Sequence, residues 1–293
     1  MSSLRVKKAV IPAAGWGTRL FPVTKTIPKE MLPILDVPVI HYIVEEAVLS
    51  GIEEIVLVSS IHKQVLERYF HLNPDLEGFL ELQHKQELAE CSRALSRLCK
   101  IQVVHQSFPR GLGDALLCAE PWLAKEPFAI LLPDDLVDAK DIPCTKQLMD
   151  IFDTYQISTV ALMPVQQECV SKYGMVGGEA VEAKVMKLTR LVEKPLLHQS
   201  PSLLGIFGRY VLTPKIFESL RSLKPGKLGE LQLTDALQKL ALQEGLLGYL
   251  FEGTRYDTGD CLGVMEANIA FGLKRPSIAS QVRTILKRQL DQK

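Results

Sequence analysis

The run Val10-Ile11-Pro12-Ala13-Ala14-Gly15-Trp16-Gly17-Thr18-Arg19, followed by Ile27-Pro28-Lys29-Glu30-Met31-Leu32-Pro33, sets an apolar stretch against a glycine turn and then against cationic side chains. Val10 and Ile11 close a short apolar segment that reads as a buried strand, and Gly15 and Gly17 let the backbone turn sharply with its N–H groups outward. Amides presented this way bind phosphate oxygens. Glycines serve any strand-to-loop turn. Arg19 and Lys29 narrow the reading, because a guanidinium forks onto phosphate oxygens and an ammonium adds a mobile point charge. Pro22, Pro28 and Pro33 stiffen the loop that carries them. The segment reads as a polyphosphate cradle.

Two commoner glycine loops do not match these letters. A P-loop needs Gly-Lys-Ser/Thr after its second glycine, where this chain has Gly17-Thr18-Arg19. A dinucleotide fingerprint needs a third glycine, an immediate helix and an acidic residue after the next strand. Position 20 is Leu, prolines block a helix, and the next strand, Ile55 to Val58, runs into Ser59 and Ser60.

With 293 residues, 47% hydrophobic and 23% charged, the chain can bury a large core, and no Gly/Ser/Pro-rich linker divides it. One domain is expected. Lys+Arg and Asp+Glu balance at 34 each, so neither a nucleic acid nor an acidic membrane surface is implied as partner. The N-terminal residues lack the apolar core of a signal peptide and no run approaches bilayer-spanning length, which gives a cytoplasmic expectation. Cys91, Cys99, Cys118, Cys144, Cys169 and Cys261 form no C-x-x-C pair, and reduced structural thiols are expected.

Beyond the loop, Pro38 precedes apolar Ile40, Ile43, Val44, Ala47 and Val48 at helical spacing, and Gly51 ends the run. Strands are expected over Glu54 to Val58, Ile101 to His105 and Phe128 to Leu132. Helices are expected near Lys63 to Phe70, over a charged stretch from Asp75 to Leu98, and from Asp114 to Leu123. This alternation predicts an α/β fold with a Rossmann-like, mostly parallel central sheet flanked by helices. The second half adds strands over Thr159 to Met163, Lys184 to Val192, Gly205 to Leu212 and Gly248 to Phe251, which make the sheet mixed. Helices near Pro214 to Leu220, Thr234 to Glu244, Leu262 to Leu273 and Ser277 to Leu290 complete the chain. The last carries Ile278, Val282, Ile285, Leu286 and Leu290 at helical spacing, to pack on its own domain or on another subunit.

Ligands in an open parallel sheet gather beyond the carboxyl ends of the strands. Leu131-Leu132-Pro133-Asp134-Asp135 puts acids directly after an apolar strand, where Asp134 suits a hard cation such as Mg²⁺; a turn or helix cap is the plainer alternative. Leu191-Val192-Glu193-Lys194-Pro195 pairs an acceptor for sugar hydroxyls with an ammonium for a sugar phosphate, or forms a surface salt bridge. In Tyr256-Asp257-Thr258-Gly259-Asp260, a late acidic turn, Asp257 offers a second carboxylate for a metal. Gln106 could read a base edge, and Gly111 permits close approach to a flat ring, whereas a helix cap explains Asp114. The histidines lack metal-site spacing and no Gly-x-Ser-x-Gly element is present, so nucleophilic catalysis has little support. Trp16 is expected to pack the loop.

Taken together, these segments resemble the bacterial UTP–glucose-1-phosphate uridylyltransferases (UDP-glucose pyrophosphorylases) of the sugar-nucleotidyltransferase superfamily, from about Lys7 to Leu273. To the stretches already quoted the resemblance adds Tyr42-Ile43-Val44-Glu45-Glu46-Ala47, Gly111-Leu112-Gly113, Gly208-Arg209-Tyr210 and Gln232-Leu233-Thr234-Asp235-Ala236. It implies a nucleotidyltransferase fold as a single domain over 1–293, with a nucleotide-binding half (1–135), a sugar-binding half (136–260) and C-terminal helices (261–293). It also implies in-line attack of a sugar-1-phosphate oxygen on the α-phosphorus of UTP, with Mg²⁺ as cofactor. The substrates would be UTP and glucose 1-phosphate, and the chain a homo-oligomer. Carried over by position, Ala14, Gly15, Gly17, Thr18, Glu30, Gln106, Gly111 and Asp135 would bind nucleotide. Arg19 and Lys29 would neutralise the triphosphate, and Asp134 and Asp257 would hold Mg²⁺. Gly174, Glu193 and Gly208 would bind the sugar and Lys194 its phosphate, with Arg19, Lys29, Asp134 and Lys194 as the catalytic set.

Glu30 and Lys25 resemble the uridylyl rather than the thymidylyl branch. The chain departs from that branch at Ser59-Ser60-Ile61-His62-Lys63, where a Gly/Arg-rich turn is usual, at Asp114 in place of a frequent His, and at Leu203 in place of a common Asn. Rival readings are a sibling enzyme using dTTP, CTP or another hexose 1-phosphate, and a non-catalytic sugar-nucleotide-binding paralogue. The second would be marked by loss of Arg19, Lys29 or Asp134, and all three are present.

Overall fold

The computed structural model describes residues 5–224, 226 and 229–291. In chain order the first half forms β1 (Lys8–Pro12), the short pair β2 (Pro33–Ile34) and β3 (Val37–Pro38), α1 (Val39–Leu49), β4 (Glu54–Ser59) and α2 (Gln64–Tyr69). It continues with α3 (Pro74–Leu82), α4 (Gln86–Ser96), β5 (Lys100–His105), α5 (Leu112–Leu123) and β6 (Phe128–Leu131). The second half forms β7 (Asp135–Asp138), α6 (Cys144–Tyr155), β8 (Thr159–Pro164), β9 (Gly174–Ala180), β10 (Val185–Glu193) and β11 (Leu204–Leu212). It ends with α7 (Ile216–Arg221), α8 (Leu233–Gln243), β12 (Leu247–Leu250), β13 (Thr254–Asp257), α9 (Cys261–Lys274) and α10 (Ala279–Leu290).

Strands from both halves share one nine-stranded sheet in the order β5-β4-β1-β6-β11-β8-β12-β10-β9. β5, β4, β1 and β6 pair in parallel, as strand–helix alternation requires, and β12 runs parallel to β8. β11 enters antiparallel between β6 and β8, and β10 and β9 extend the far edge antiparallel. The period of two along β1 divides the core: Ala9 and Ile11 join α1 and α6 on one face, and Val10 joins α5, α7 and α8 on the other. Both faces are covered, which is why these strands are near-continuously apolar.

Local chemistry accounts for where the expected elements stop. The charged stretch from Asp75 to Leu98 is two helices, because His84 takes a left-handed φ of 57° between α3 and α4. Asn73 caps α3 by accepting from the Leu76 amide at 3.2 Å, with Pro74 in the first turn. Six elements lie outside the sequence expectation: the short pair β2 and β3, together with β7, α6, β9 and β13. α6 carries Leu148, Met149 and Phe152 on its buried face. β7 and β13 pair antiparallel as a separate two-stranded sheet, so Tyr256 and Asp257 belong to a strand and not, as expected, to a turn. The terminal helix α10 packs on α9, where Val282 lies against Gly272, yet none of its residues is fully buried. Among the described residues no helix is long and apolar enough to cross a membrane.

Candidate active site

The loop after β1 is built on a buried lysine. Lys63 Nζ donates to the carbonyls of Ala13 (2.7 Å) and Gly15 (2.6 Å) and to both carboxylate oxygens of Glu30 (3.0 and 2.9 Å). In a trans peptide the N–H points opposite to the C=O, so the amides of Ala14 and Trp16 face away from Lys63. Gly17 is left-handed (φ 66°), and a Cβ there would stand 3.2 Å from the Lys29 Cβ, so the turn seats Lys29 directly against it. Burial pushes the Glu30 carboxyl up against the pull of Lys63 and Lys29, and burial also lowers Lys63. Trp16 does not pack into the loop; it is 57% exposed and stacks on His62 with ring centroids 5.7 Å apart.

Four charged side chains meet beside this loop. Lys29 Nζ lies 2.6 Å from Asp134 Oδ2, while Arg19 lies 3.5 Å from Asp134 and 3.9 Å from Asp257. Burial opposes charge on Asp134, but Lys29 and Arg19 hold its carboxyl below the usual range. The β7–β13 register places Asp257 opposite Asp135, and the Thr258 amide donates to the Asp134 carbonyl at 2.8 Å, which brings two distant acidic segments together. Gly259 opens the space between them: a Cβ there would stand 2.9 Å from Asp257 Oδ1 and 3.0 Å from Asp134 Oδ2. Two carboxylates flanking a gap fit a hard cation that takes its remaining ligands from phosphates. Among the described residues no cluster of three or more His, Cys, Asp or Glu forms a full metal cage.

Asp135 is oriented by Arg255, a residue the sequence reading passes over. Arg255 donates to Asp135 Oδ1 (2.6 Å), Asp257 Oδ2 (3.1 Å) and the Tyr173 hydroxyl (2.8 Å). Burial pushes the Asp135 carboxyl up to about 6 against the attraction of Arg255, and Asp134 and Asp257 push it the same way. Across the cavity, Thr234 Oγ1 donates to Glu193 Oε2 at 2.5 Å, and a Cβ on Gly174 would reach the same Thr234 oxygen at 2.8 Å. Lys194 has a left-handed φ of 44°, is 57% exposed, and stands 3.4 Å from Glu193. A Cβ on Gly208 would stand 2.8 Å from the Leu132 Cβ and collide with the Asp135 carboxylate.

A cavity of about 1100 Å³ brings Arg19, Gly111, Asp134, Asp135 and Asp257 together with Gly174, Glu193, Lys194 and Gly208. Ala14, Gly15, Gly17, Thr18, Lys29, Glu30 and Gln106 do not line it; they sit in or beneath the adjoining loops. Gln106 is 4% exposed and donates to Asp114 Oδ2 at 2.6 Å, so Asp114 orients an amide rather than capping α5. Gly111 has φ 92°, and a Cβ there would stand 2.8 Å from the Leu231 carbonyl oxygen, so the position has internal reasons to be glycine. Asp260 caps α9 by accepting from the Gly263 amide at 2.9 Å. A shallower hollow of about 710 Å³ near Phe70 and Leu72 is lined by Arg93 and Arg97, both already paired with glutamates of α3 and α4.

A family model described as nucleotidyl transferase matches residues 8–271, the span that contains the loop after β1, Asp134, Asp257, Gly174, Glu193 and Lys194. The chain belongs to the nucleotidyl transferase family. Within it, the chain is 43% identical over 283 residues to the UTP–glucose-1-phosphate uridylyltransferase YngB of Bacillus subtilis, covering 97% of this chain and 95% of the relative. Among nucleotidyl transferase structures, it superposes on a UDP-glucose pyrophosphorylase complexed with UDP-glucose with a TM-score of 0.83 at 43% identity, over 92% of this chain and 100% of the other. A UTP-bound UGPase from Acinetobacter baumannii gives a TM-score of 0.88 at 34% identity, over 96% and 98%.

Proposed function

We propose that this nucleotidyl transferase joins UTP and glucose 1-phosphate into UDP-glucose, with release of pyrophosphate. One observation carries the reading: Arg19, Asp134 and Asp257 line one cavity together with Gly174, Glu193 and Lys194, and Lys29 bonds to Asp134. Relatives that share this architecture over nearly the full chain carry the uridylyltransferase name.

In the proposed reaction an oxygen of the sugar phosphate bonds to the α-phosphorus, and the bond from that phosphorus to the bridging oxygen breaks, leaving with pyrophosphate. Arg19 and Lys29 bear the negative charge that accumulates on the leaving oxygens, and Lys194 holds the attacking phosphate. Positioning and charge stabilisation supply nearly all the catalysis in such transfers. Asp134 and Asp257 would hold Mg²⁺, which would further neutralise the triphosphate. Ala14, Gly15, Gly17 and Thr18 would seat the nucleotide through their backbone, with Gln106, Gly111 and Asp135 at its rim and Glu30 acting through Lys63. Glu193 and Gly174 would take sugar hydroxyls, with Gly208 leaving room beside them. Residues 1–135 thus serve the nucleotide and 136–260 the sugar, apart from Asp257. We read the enzyme as cytoplasmic and as a homo-oligomer, in which the exposed Ile285 and Leu290 of α10 would find cover.

The test is a grid of UTP, dTTP, CTP and ATP against glucose, galactose and mannose 1-phosphates, with pyrophosphate release as readout. UTP with glucose 1-phosphate in Mg²⁺ is expected to lead by at least tenfold in kcat/KM. A lead by dTTP, CTP or another hexose would reassign the substrate. Inertness with every pair, together with tight UDP-glucose binding, would make the chain a non-catalytic paralogue.

A further inference from the structure

Two charged side chains outside the cavity, Glu46 of α1 and Arg209 of β11, pair behind the segment that carries Asp134. Arg209 is fully buried, and its Nε and Nη2 donate to the two Glu46 oxygens at 2.9 and 2.7 Å. The remaining donors go to main chain. Nη1 reaches the Gly208 carbonyl at 2.9 Å and the Leu132 carbonyl at 3.3 Å, and Nη2 reaches the Asp135 carbonyl at 2.8 Å. Each of the guanidinium's N–H directions therefore has an acceptor. Glu46 is completed by α6, accepting from the Thr145 amide at 3.0 Å and its hydroxyl at 2.7 Å.

We propose that the Glu46–Arg209 pair positions Asp134 for the transfer reaction, by fixing the backbone carbonyls on either side of Pro133-Asp134. This rests on the reading of Asp134 as the residue that faces substrate. A fully buried arginine needs an acceptor for every N–H and Glu46 serves only two of them, while a buried ion pair contributes little net stability, so the destination of the remaining donors is what distinguishes this pair. Here the donors beyond Glu46 go to the main chain, two of them to the carbonyls of Leu132 and Asp135 that bracket the acid. Other bonds hold the same segment at other atoms: the Leu132 amide donates to the Gly208 carbonyl at 2.9 Å and Lys29 Nζ to the Asp134 carboxylate at 2.6 Å, whereas Pro133 has no N–H and the Asp135 amide makes a long 3.4 Å bond to the Leu132 carbonyl. Thr258 holds the Asp134 carbonyl from the opposite side. Lysine cannot replace this arginine, because three N–H groups on a single nitrogen cannot serve acceptors spread around a planar fork.

The test uses the full chain with Arg209→Lys and the isosteric Glu46→Gln, each beside wild type. Hydrogen exchange at the amides of residues 134–136 is expected to quicken at least tenfold while the amides of β4 stay unchanged. kcat is expected to fall at least tenfold with the KM for UTP within threefold, and the Mg²⁺ concentration for half-maximal rate to rise at least fivefold. If Arg209→Lys does not fold, Glu46→Gln and the milder Thr145→Val carry the same readings, the latter with a two- to fourfold kcat loss. A lower melting temperature with unchanged kcat, Mg²⁺ requirement and local exchange would overturn the proposal and leave the pair purely structural. A wild-type chain inert with UTP and glucose 1-phosphate would overturn the functional reading instead, and the exchange at 134–136 would still decide whether the pair orders that segment.

Discussion

Lys29 Nζ stands 2.6 Å from Asp134 Oδ2, so the cation assigned to the triphosphate and the carboxylate assigned to the metal neutralise one another. Lys29→Met removes the closer of the two cations that face this acid. We expect kcat to fall by about a hundredfold or more, in line with loss of one preorganised charge at a developing oxyanion. Stability should drop by up to about 3 kcal/mol, because Asp134 keeps only the more distant Arg19. Pyrophosphate release and urea denaturation measure the two effects, and a variant with more than a third of wild-type kcat would show that Lys29 does not bear leaving-group charge.

Gly259→Ala tests the gap between the carboxylates. The new Cβ would stand 3.0 Å from Asp134 Oδ2 and 2.9 Å from Asp257 Oδ1 and would press on Arg19. Activity should fall at least tenfold while the melting temperature moves by no more than a few degrees, because the atoms that the Cβ would meet are the ends of the Arg19, Asp134 and Asp257 side chains. Normal turnover would place the reacting groups elsewhere in the cavity.

Lys194→Ala should separate the two substrates. The side chain is exposed and lines the cavity beside Glu193, so on the proposed assignment its loss is expected to raise the KM for glucose 1-phosphate at least tenfold and leave that for UTP within twofold. Equal changes in both constants would contradict the assignment to the sugar phosphate.

The Lys63–Glu30 pair is expected to behave as a coupled unit. Lys63→Met strands a buried carboxylate and frees two loop carbonyls, a loss of about 3–5 kcal/mol by analogy with other broken buried pairs. Lys63→Met combined with Glu30→Gln should recover a large part of that loss, because no unpaired charge remains. Additive losses in a double-mutant cycle would mean the pair is not coupled.

Asp135 supplies a pH dependence whose sign is fixed by its raised pKa. With the folded carboxyl pushed up to about 6 and an unfolded value of about 3.9, the folded chain binds the extra proton between them. Its contribution to stability therefore declines as pH rises from about 4 to about 6, by up to about 3 kcal/mol, and stays lost above that. Asp135→Asn should flatten this part of the curve in denaturant titrations from pH 4 to 7. A variant whose stability tracks wild type across that window would assign the slope to other groups.

The sequence exposes the parts of this molecule that rest on short-range patterns. β1, the cradle, α1 and the parallel strands announce themselves through apolar runs, glycine turns and helical spacing. The acids at 134 and 257 are visible as strand-end residues, but their meeting is not, because it depends on the β7–β13 register between two strands of four residues each. Arg255 and Lys63 escape notice for a related reason. Arg255 borders the late acidic segment and Lys63 ends the segment that departs from the family pattern, yet the role of each comes from partners far along the chain: Asp135 for Arg255, and Ala13, Gly15 and Glu30 for Lys63. Asp114 shows the opposite failure, where a good local explanation, the helix cap, loses to a tertiary bond from Gln106.

The β7–β13 pairing also sets an order of events during synthesis. Arg255 and Asp135 are 120 residues apart. A chain emerging from the ribosome can form the cradle and the parallel strands early, yet its acidic pair has no second member until residues 254–258 appear. Long-range pairing of this kind is slow to close. On the proposed function, the competence of each newly made molecule therefore waits on a late strand of the domain, and chains shorter than this carry the cradle without the second acid.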